Sequence, residues 1–153
     1  MEADDSLALC FHKCKSTGNR ILYKIPISNM LTAKDIILNH YIPTASILYR
    51  TDLMKNVDDF KLTIGDIPLE IQLVMQGNAY FIDEYMSVYR DDNINSITHN
   101  REHRKRSVFV WVKLYYLLLK KYKFNKYSVY LLYNLCHRIV QLPLIIRNVY
   151  FRK

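Results

Sequence analysis

The sequence predicts an α+β fold, in which small antiparallel hairpins pack with short helices and are followed by a long basic helix and a C-terminal helix. Two observations predict it. Apolar residues alternate with polar ones in the first part of the chain, as in strands, and recur every three or four residues in the last third, as in helices. The 153 residues are 50% hydrophobic and include only 3 Gly and 4 Pro, which is typical of a compact domain without repeats.

Two antiparallel hairpins are expected in the first part of the chain. Residues 6–27 alternate on both sides of the turn sequence Ser-Thr-Gly-Asn. Residues 60–76 alternate again, with Glu70 on the side expected to face water. A turn at Gly77 should lead this strand back into a partner strand over 79–82.

Short helices are predicted around these hairpins. The first covers residues 32–40, is capped by Ser28 or Asn29 and ends before Pro43, and the second covers 44–55. Asp83 is a candidate N-cap for a third helix over 84–90, because its carboxylate can accept a bond from a free amide of the first turn. Residues 91–100, DDNINSITHN, form the most loop-like segment of the chain.

Two further helices are predicted in the last third. The basic helix covers 103–123, and a shorter helix covers 126–141 and ends at Pro143. We therefore divide the chain into an α+β domain, residues 1–123, and a C-terminal helical extension, residues 124–153.

Charge is distributed unevenly along the chain. Residues 1–100 hold 9 Lys and Arg against 13 Asp and Glu, a net charge of −4, whereas residues 101–153 hold 13 against 1, a net charge of +12. Because a merely solvated surface mixes both signs, this asymmetry favours a polyanionic partner. The expected partner is DNA, single-stranded or duplex, or RNA. The candidate phosphate-binding residues are Arg101, Arg104, Lys105, Arg106, Lys113, Lys120, Lys121 and Lys123.

Aromatic residues interleave with these cations. Tyrosines beside lysines suit stacking on unpaired bases, although at helical spacing most of them are expected in the core. The only tryptophan, Trp111, falls on the apolar stripe of the basic helix. We expect it to be buried and structural.

No pattern in the sequence indicates catalysis. The glycines are isolated, so no glycine-rich phosphate loop exists, and no nucleophile stands in a known relation to a base. Cys10, His12 and Cys14 on one strand would be too far apart for one zinc ion, and Cys136 is remote in sequence. We expect no enzyme, no cofactor, no metal and no disulfide, and reduced thiols in an intracellular protein without a secretion signal.

Other partners are kept as alternatives. The segment 126–141 has one apolar face, which can pack on the 103–123 helix as an antiparallel pair or be left for a second copy. Because the tail Leu144–Phe151 is also apolar, we expect a homodimer held at least partly by residues after Asn125. A non-enzymatic structural or host-interaction protein acting through protein–protein contacts is the main alternative function. A peripheral membrane protein is a third, whereas Lys113 interrupts the longest apolar run, so no membrane span is expected.

Three segments occur in an order and spacing shared with a known family. They are TAKDI at 32–36, AYFIDEYMSVYR at 79–90, and WV followed by YYLLLKK from Trp111. They resemble the vAKDI helix start, the FINE…GLY segment and the WV…VLPSIRK ending of the Bro-N domain, the amino-terminal module of the baculovirus-repeated-ORF (BRO) proteins of large DNA viruses and phages. Ser87 and Leu118 replace a Gly and a Pro of that pattern, as in a divergent member.

The resemblance covers about residues 7–123. It implies a compact α+β module that binds DNA, has no catalytic site, and is of viral origin. A viral protein of this kind would act in the nucleus or cytoplasm of the host cell.

Overall fold

The computed structural model describes residues 4–18, 24–64, 66–90, 109–123 and 125–148. The chain forms two compact units. The first, called here the sheet unit, comprises residues 1–59 and 66–92, and the second, called the helical unit, comprises residues 60–65 and 93–153. A mixed sheet with helices in one unit and a pair of long helices in the other confirm the α+β class.

The described part of the sheet unit contains four strands and two α-helices. The strands are β1 (Leu7–Ser16), β2 (Met30–Leu31), β3 (Leu48–Tyr49) and β4 (Asn78–Tyr89). The helices are α1 (Ala33–Asn39) and α2 (Asp66–Val74), and short 3-10 helices cover Thr44–Ser46 and Thr51–Asn56. The strand order is β2-β4-β1-β3, with β1 and β4 parallel and the two outer pairs antiparallel.

The long central strands β1 and β4 hold the core of the sheet. Phe11 lies opposite Phe81 in the register, and their ring centres are 5.3 Å apart. β4 can begin close beside β1 because Gly77 has no side chain: a Cβ there would lie 2.8 Å from the carbonyl oxygen of Ser6. Asn78 then donates its backbone N–H to that same oxygen. The glycine is thus required by the close approach of two backbones.

Both predicted hairpins need correction. The first arm of the 6–27 hairpin is confirmed as β1, but residues 19–23 lie outside the described residues and residues 24–27 form no strand. The 60–82 hairpin is wrong, because the strand after Gly77 pairs with β1 and β2 rather than with the segment that precedes it. Long-range pairing overrode the local turn signal.

Helix α1 confirms the extent predicted over 32–40, but the N-cap is Thr32 and not Ser28 or Asn29. Thr32 donates its backbone N–H and its hydroxyl to the carboxylate of Asp35, at 2.9 and 2.7 Å, which fixes the start of the helix. The helix ends at His40, which adopts a left-handed conformation with φ of 48°. The helix predicted over 44–55 is wrong: β3 lies there between the two 3-10 helices, because Leu48 and Tyr49 pair with β1.

The strand predicted over 60–76 is also wrong, since α2 occupies most of that segment. Pro68 is tolerated because it lies in the first turn, where a backbone N–H has no helical partner. Glu70 and Gln72, expected to face water, are almost completely buried. Buried residues occur on several sides of α2, so apolar and polar residues do not alternate with the period of a helix. The sequence pattern therefore could not identify this helix.

The helix predicted over 84–90 is replaced by the second half of β4. Tyr85, Val88 and Tyr89 favour a strand, and the segment pairs with β1 through Ser16. Asp83 caps no helix; its carboxylate forms an ion pair with Lys13. The predicted loop over 91–100 lies outside the described residues.

The described part of the helical unit contains α3 (Val110–Lys121) and α4 (Ser128–Ile146), which pack against each other. The buried residues of the pair are Val110, Leu114, Tyr115, Leu118, Leu131 and Asn134. In the connection between them, the backbone oxygen of Tyr122 accepts bonds from the N–H of Asn125 and the hydroxyl of Ser128, at 3.1 and 2.8 Å.

The predicted end of the last helix at Pro143 is wrong. α4 continues through Pro143 to Ile146. Pro143 has no N–H to offer the carbonyl four residues earlier, but both Pro143 and Ile139 are exposed, so water can satisfy the freed carbonyl. The proline therefore does not stop the helix.

Candidate nucleic-acid interface

One side of α3 presents lysine and aromatic side chains to solvent. Phe109 precedes the helix, Lys113, Tyr116 and Lys120 lie on it, and Lys123 follows it; all five are exposed. We call these five residues the α3 face. Phe109 and Tyr116 are 58% and 59% exposed, which is unusual for large aromatic residues in a packed helical pair.

The spacing of these residues produces this face. They follow one another at intervals of four, three, four and three residues, the intervals that keep side chains on one side of a helix. Leu114 and Leu118 alternate with them and are fully buried. The apolar stripe therefore anchors α3 and turns the cations outward.

The other predicted phosphate-binding residues are placed differently. Lys121 is only half exposed, and its ammonium nitrogen lies 5.5 Å from the centre of the Tyr122 ring, away from the α3 face. The four cations of the cluster that precedes α3 lie outside the described residues: Arg101, Arg104, Lys105 and Arg106. The structure thus brings together three of the eight predicted residues: Lys113, Lys120 and Lys123.

The charge of the α3 face is uncompensated within its own helices. No Asp or Glu occurs between residues 109 and 148. Lys120 also lies in the last turn of α3, where a cation is stabilised by the negative end of the helix dipole. That structural role accounts for Lys120 and Lys121. Lys113, near the start of the helix where a cation is unfavourable, needs another explanation.

Trp111 lies beside this face but not in it. The sequence predicts a buried Trp111, but its side chain is half-buried. The guanidinium carbon of Arg138 lies 4.4 Å from the centre of its ring, and Arg138 also donates a hydrogen bond to the Tyr115 hydroxyl. Burial raises the pKa of Tyr115 to about 12, an effect that Arg138 opposes. Arg138 therefore joins α4 to α3, and Trp111 has a structural environment.

The charge pattern alone did not reveal two of these residues. Phe109 was missed as part of the α3 face, although its spacing of four from Lys113 could have indicated it. Arg138 was missed as a packing residue, because nothing in the local sequence shows that an arginine will lie over an aromatic ring.

The thiols and acidic residues of the described segments form no metal-binding cluster. Cys14 is buried, Cys10 is half-buried and Cys136 is exposed, and burial raises the pKa of the Cys10 thiol. In the described ranges, no three His, Cys, Asp or Glu side chains are grouped so that they could hold a metal ion.

A membrane criterion singles out one helix. Of the described helices, α4 alone is long and apolar enough to cross a membrane, judged by length and composition. Core helices of soluble proteins meet the same criterion, so it carries little weight by itself.

Comparisons with known proteins add no identification. No protein-family model, no curated protein and no solved structure matches this chain. The Bro-N resemblance therefore depends only on the three sequence segments that suggested it.

Proposed function

We propose that this protein binds nucleic acid, DNA in the first instance, through the α3 face. The observation that carries the proposal is the exposed row of lysine and aromatic side chains without a neighbouring carboxylate in its own helices. Lysines give phosphate contacts and so affinity without sequence information. The aromatic side chains between them offer ring faces on which bases can stack.

The dimensions of the face suit an extended polyanion. Lys113 and Lys120 are seven residues apart, which is about 10 Å along a helix axis, and Tyr116 lies between them. The basic cluster from Arg101 to Arg106 precedes the same helix and supplies four further cations. Its contribution to phosphate binding is part of this proposal.

The test is a salt titration of binding with matched variants. We would measure affinity for duplex DNA, single-stranded DNA and RNA at several salt concentrations. The test variant replaces Lys113, Lys120 and Lys123 with Gln. The control replaces three exposed lysines of the sheet unit with Gln, and so removes the same charge: Lys24, Lys34 and Lys55.

We expect the test variant to lower the slope of log K against log salt by up to about 0.9 for each duplex phosphate that is no longer neutralised, and the control to leave it nearly unchanged. A second variant, with Arg101, Arg104, Lys105 and Arg106 changed to Gln, should lower the slope further. Equal decreases in the test and control variants would show that only net charge matters, and would refute the α3 face as the site.

The Bro-N resemblance extends this proposal. A divergent Bro-N module would be a viral DNA-binding protein that acts in the host nucleus or cytoplasm without catalysis. The helix start at Thr32 and Asp35 agrees with the helix that the resemblance implies. Expression of the tagged chain in infected cells, followed by imaging and recovery of bound nucleic acid, would test location and partner together.

A homodimer is the second part of the proposal. The helix predicted to bury one apolar face does not bury it against α3: Val129, Leu132 and Ile139 are exposed. We infer that residues after Asn125 hold two copies together, which would bring two basic helices into one longer polyanion-binding surface. The same observation favours the alternative function, a viral structural or host-interaction protein that acts through protein–protein contacts. Binding of no nucleic acid by a stable dimer would support that alternative.

A further inference from the structure

A second exposed face lies on α4, and it is apolar. Val129, Leu132, Cys136 and Ile139 are all exposed and follow one another at intervals of three and four residues. We call these four residues the α4 seam. The buried residues of the helix, Leu131 and Asn134, fall on the opposite side. The seam therefore faces away from the side that α4 buries.

The chemistry of the seam excludes a charged partner. Arg138 is the only Lys, Arg, Asp or Glu between residues 128 and 146, and its guanidinium lies over Trp111. A polyanion or an acidic peptide would find no cation on the seam. An identical seam would bring no like charge into contact, so two copies meet without electrostatic repulsion.

The spacing of the seam matches that of helices that pack side by side. Val129 and Cys136 are seven residues apart, and so are Leu132 and Ile139. Side chains repeated in this way interlock with the same repeat on a second helix. A second copy of the chain offers that repeat at the same length.

The exposed area is also sufficient. Val129, Leu132 and Ile139 are 62%, 51% and 48% exposed, and the flanking Tyr133 and Val140 are 60% and 76% exposed. If each leaves on the order of 100 Å² in water, two copies would cover about 1,000 Å² in total, the lower limit of specific interfaces. Such an area corresponds to a reversible dimer.

We propose that the α4 seam is the surface through which two copies of this chain associate, with Cys136 near its middle. If the two-fold axis passes near the middle of the seam, the two Cys136 thiols lie close together, because residues beside such an axis contact their own copies. The inference rests on the proposed homodimer but not on nucleic-acid binding.

The experiment compares single variants of the full chain by sedimentation equilibrium. Leu132→Ser changes the seam, whereas Leu48→Ser makes the same change at an exposed side chain of the sheet unit, outside the residues proposed to hold the dimer. We expect Leu132→Ser to raise the dimer dissociation constant at least tenfold and Leu48→Ser to change it less than twofold. Trp111 fluorescence and circular dichroism check that both variants remain folded.

Native cysteine crosslinking gives a second readout. Mild oxidation with copper-phenanthroline should produce a disulfide-linked dimer in the unmodified chain and in Cys10→Ser, but not in Cys136→Ser. DNA affinity, measured on the same samples, reports separately on the proposed nucleic-acid interface.

Three outcomes would overturn the inference. A dimer that is not weakened by Leu132→Ser, or that is weakened equally by Leu48→Ser, would show that two copies associate through a surface other than the seam. A monomer at tens of micromolar would refute both the homodimer and the seam. A monomer that floats with phosphatidylcholine vesicles, and no longer does so on Leu132→Ser, would show that lipid and not a second copy covers the seam.

Discussion

The two units of this chain differ in where they place the polar and apolar side chains of their helices. The sheet unit places polar groups in its interior: Gln72 is fully buried and Glu70 is 2% exposed. The helical unit exposes lysines and aromatic residues on α3 and an apolar seam on α4. Buried, hydrogen-bonded polar groups such as Gln72 help to specify the fold of the sheet unit, whereas the folding of the helical unit does not explain why apolar residues recur at helical spacing on the exposed side of α4.

The polar interior of the sheet unit has a clear structural purpose. The Gln72 side-chain oxygen accepts the backbone N–H of Asp58 at 2.9 Å, and its amide nitrogen donates to the Asp58 and Pro68 carbonyls at 3.0 and 3.1 Å. This side chain thus joins α2 to the segment after the second 3-10 helix. Changes in the sheet unit should alter stability, and changes on the exposed faces of the helical unit should alter binding.

The largest expected effect is that of Glu70→Gln. Burial first, and then the charge of Asp66, raises the pKa of Glu70 to about 8, and its Oε1 has no hydrogen-bond partner within the described segments. Because the folded pKa lies above the unfolded value, the native protein loses stability as the pH rises from about 4.5 to 8. The variant should therefore be more stable by about 3 kcal/mol at pH 7, and nearly unchanged at pH 4.

Urea unfolding across this pH range measures the effect of Glu70→Gln. The Glu84→Gln variant makes the same substitution at an exposed position and serves as the control. A difference between the Glu70 variant and the native protein that does not grow with pH would contradict the buried protonated carboxyl. DNA affinity should be unchanged, because Glu70 lies in the sheet unit and the proposed DNA-binding face lies in the helical unit.

Gln72→Ala should have the next largest effect. It removes three hydrogen bonds and leaves the N–H and C=O of Asp58 without these partners, at a cost of about 2 kcal/mol. Asn56→Ala, which removes one exposed bond to Gln76, provides a milder control in the same region. If Gln72→Ala weakens DNA binding while it leaves the unfolding free energy unchanged, then the sheet unit takes part in binding and the assignment of stability to one unit and binding to the other is wrong.

Arg138→Ala tests the contact that holds the helical unit together. Removal of the cation over Trp111 and of the bond to Tyr115 should cost about 1.5 kcal/mol and change the fluorescence of the only tryptophan. The exposed Arg147→Ala removes the same charge without either contact. If the two variants have equal salt slopes of DNA binding but only Arg138→Ala lowers the unfolding free energy, then Arg138 acts in packing and not in binding DNA.

The smallest expected effect is that of Tyr116→Ser. The exposed ring should contribute little to stability, but its removal should weaken single-stranded DNA binding by about 1 kcal/mol, roughly fivefold. Duplex binding should change less, because paired bases offer no free ring face. Tyr85→Ser, at a similarly exposed tyrosine of the sheet unit, should change neither affinity. Equal weakening by both variants would exclude stacking on the α3 face.

Part of the candidate site could be predicted from the sequence. Lys113, Lys120 and Lys123 repeat at helical spacing beside an apolar stripe, and such a pattern requires that the cations face outward once the stripe is buried. The position of the half-exposed Lys121 beside Tyr122 and the exposure of Phe109 depend on where the helix begins and what it packs against. Neither follows from periodicity. The predicted set therefore included Lys121, which lies away from the α3 face, and omitted Phe109, which belongs to it.

The sequence by itself determined the α+β class, strand β1, the approximate extent of helix α1 and the outward cations of α3. In each case one face is wet or a local cap is present, so the pattern of polarity reports the backbone period. Only the tertiary structure decided that α2 is a helix and that β4 continues to Tyr89. α2 is buried on several sides and β4 takes its hydrogen bonds from β1, so backbone partners distant in sequence fix these two elements.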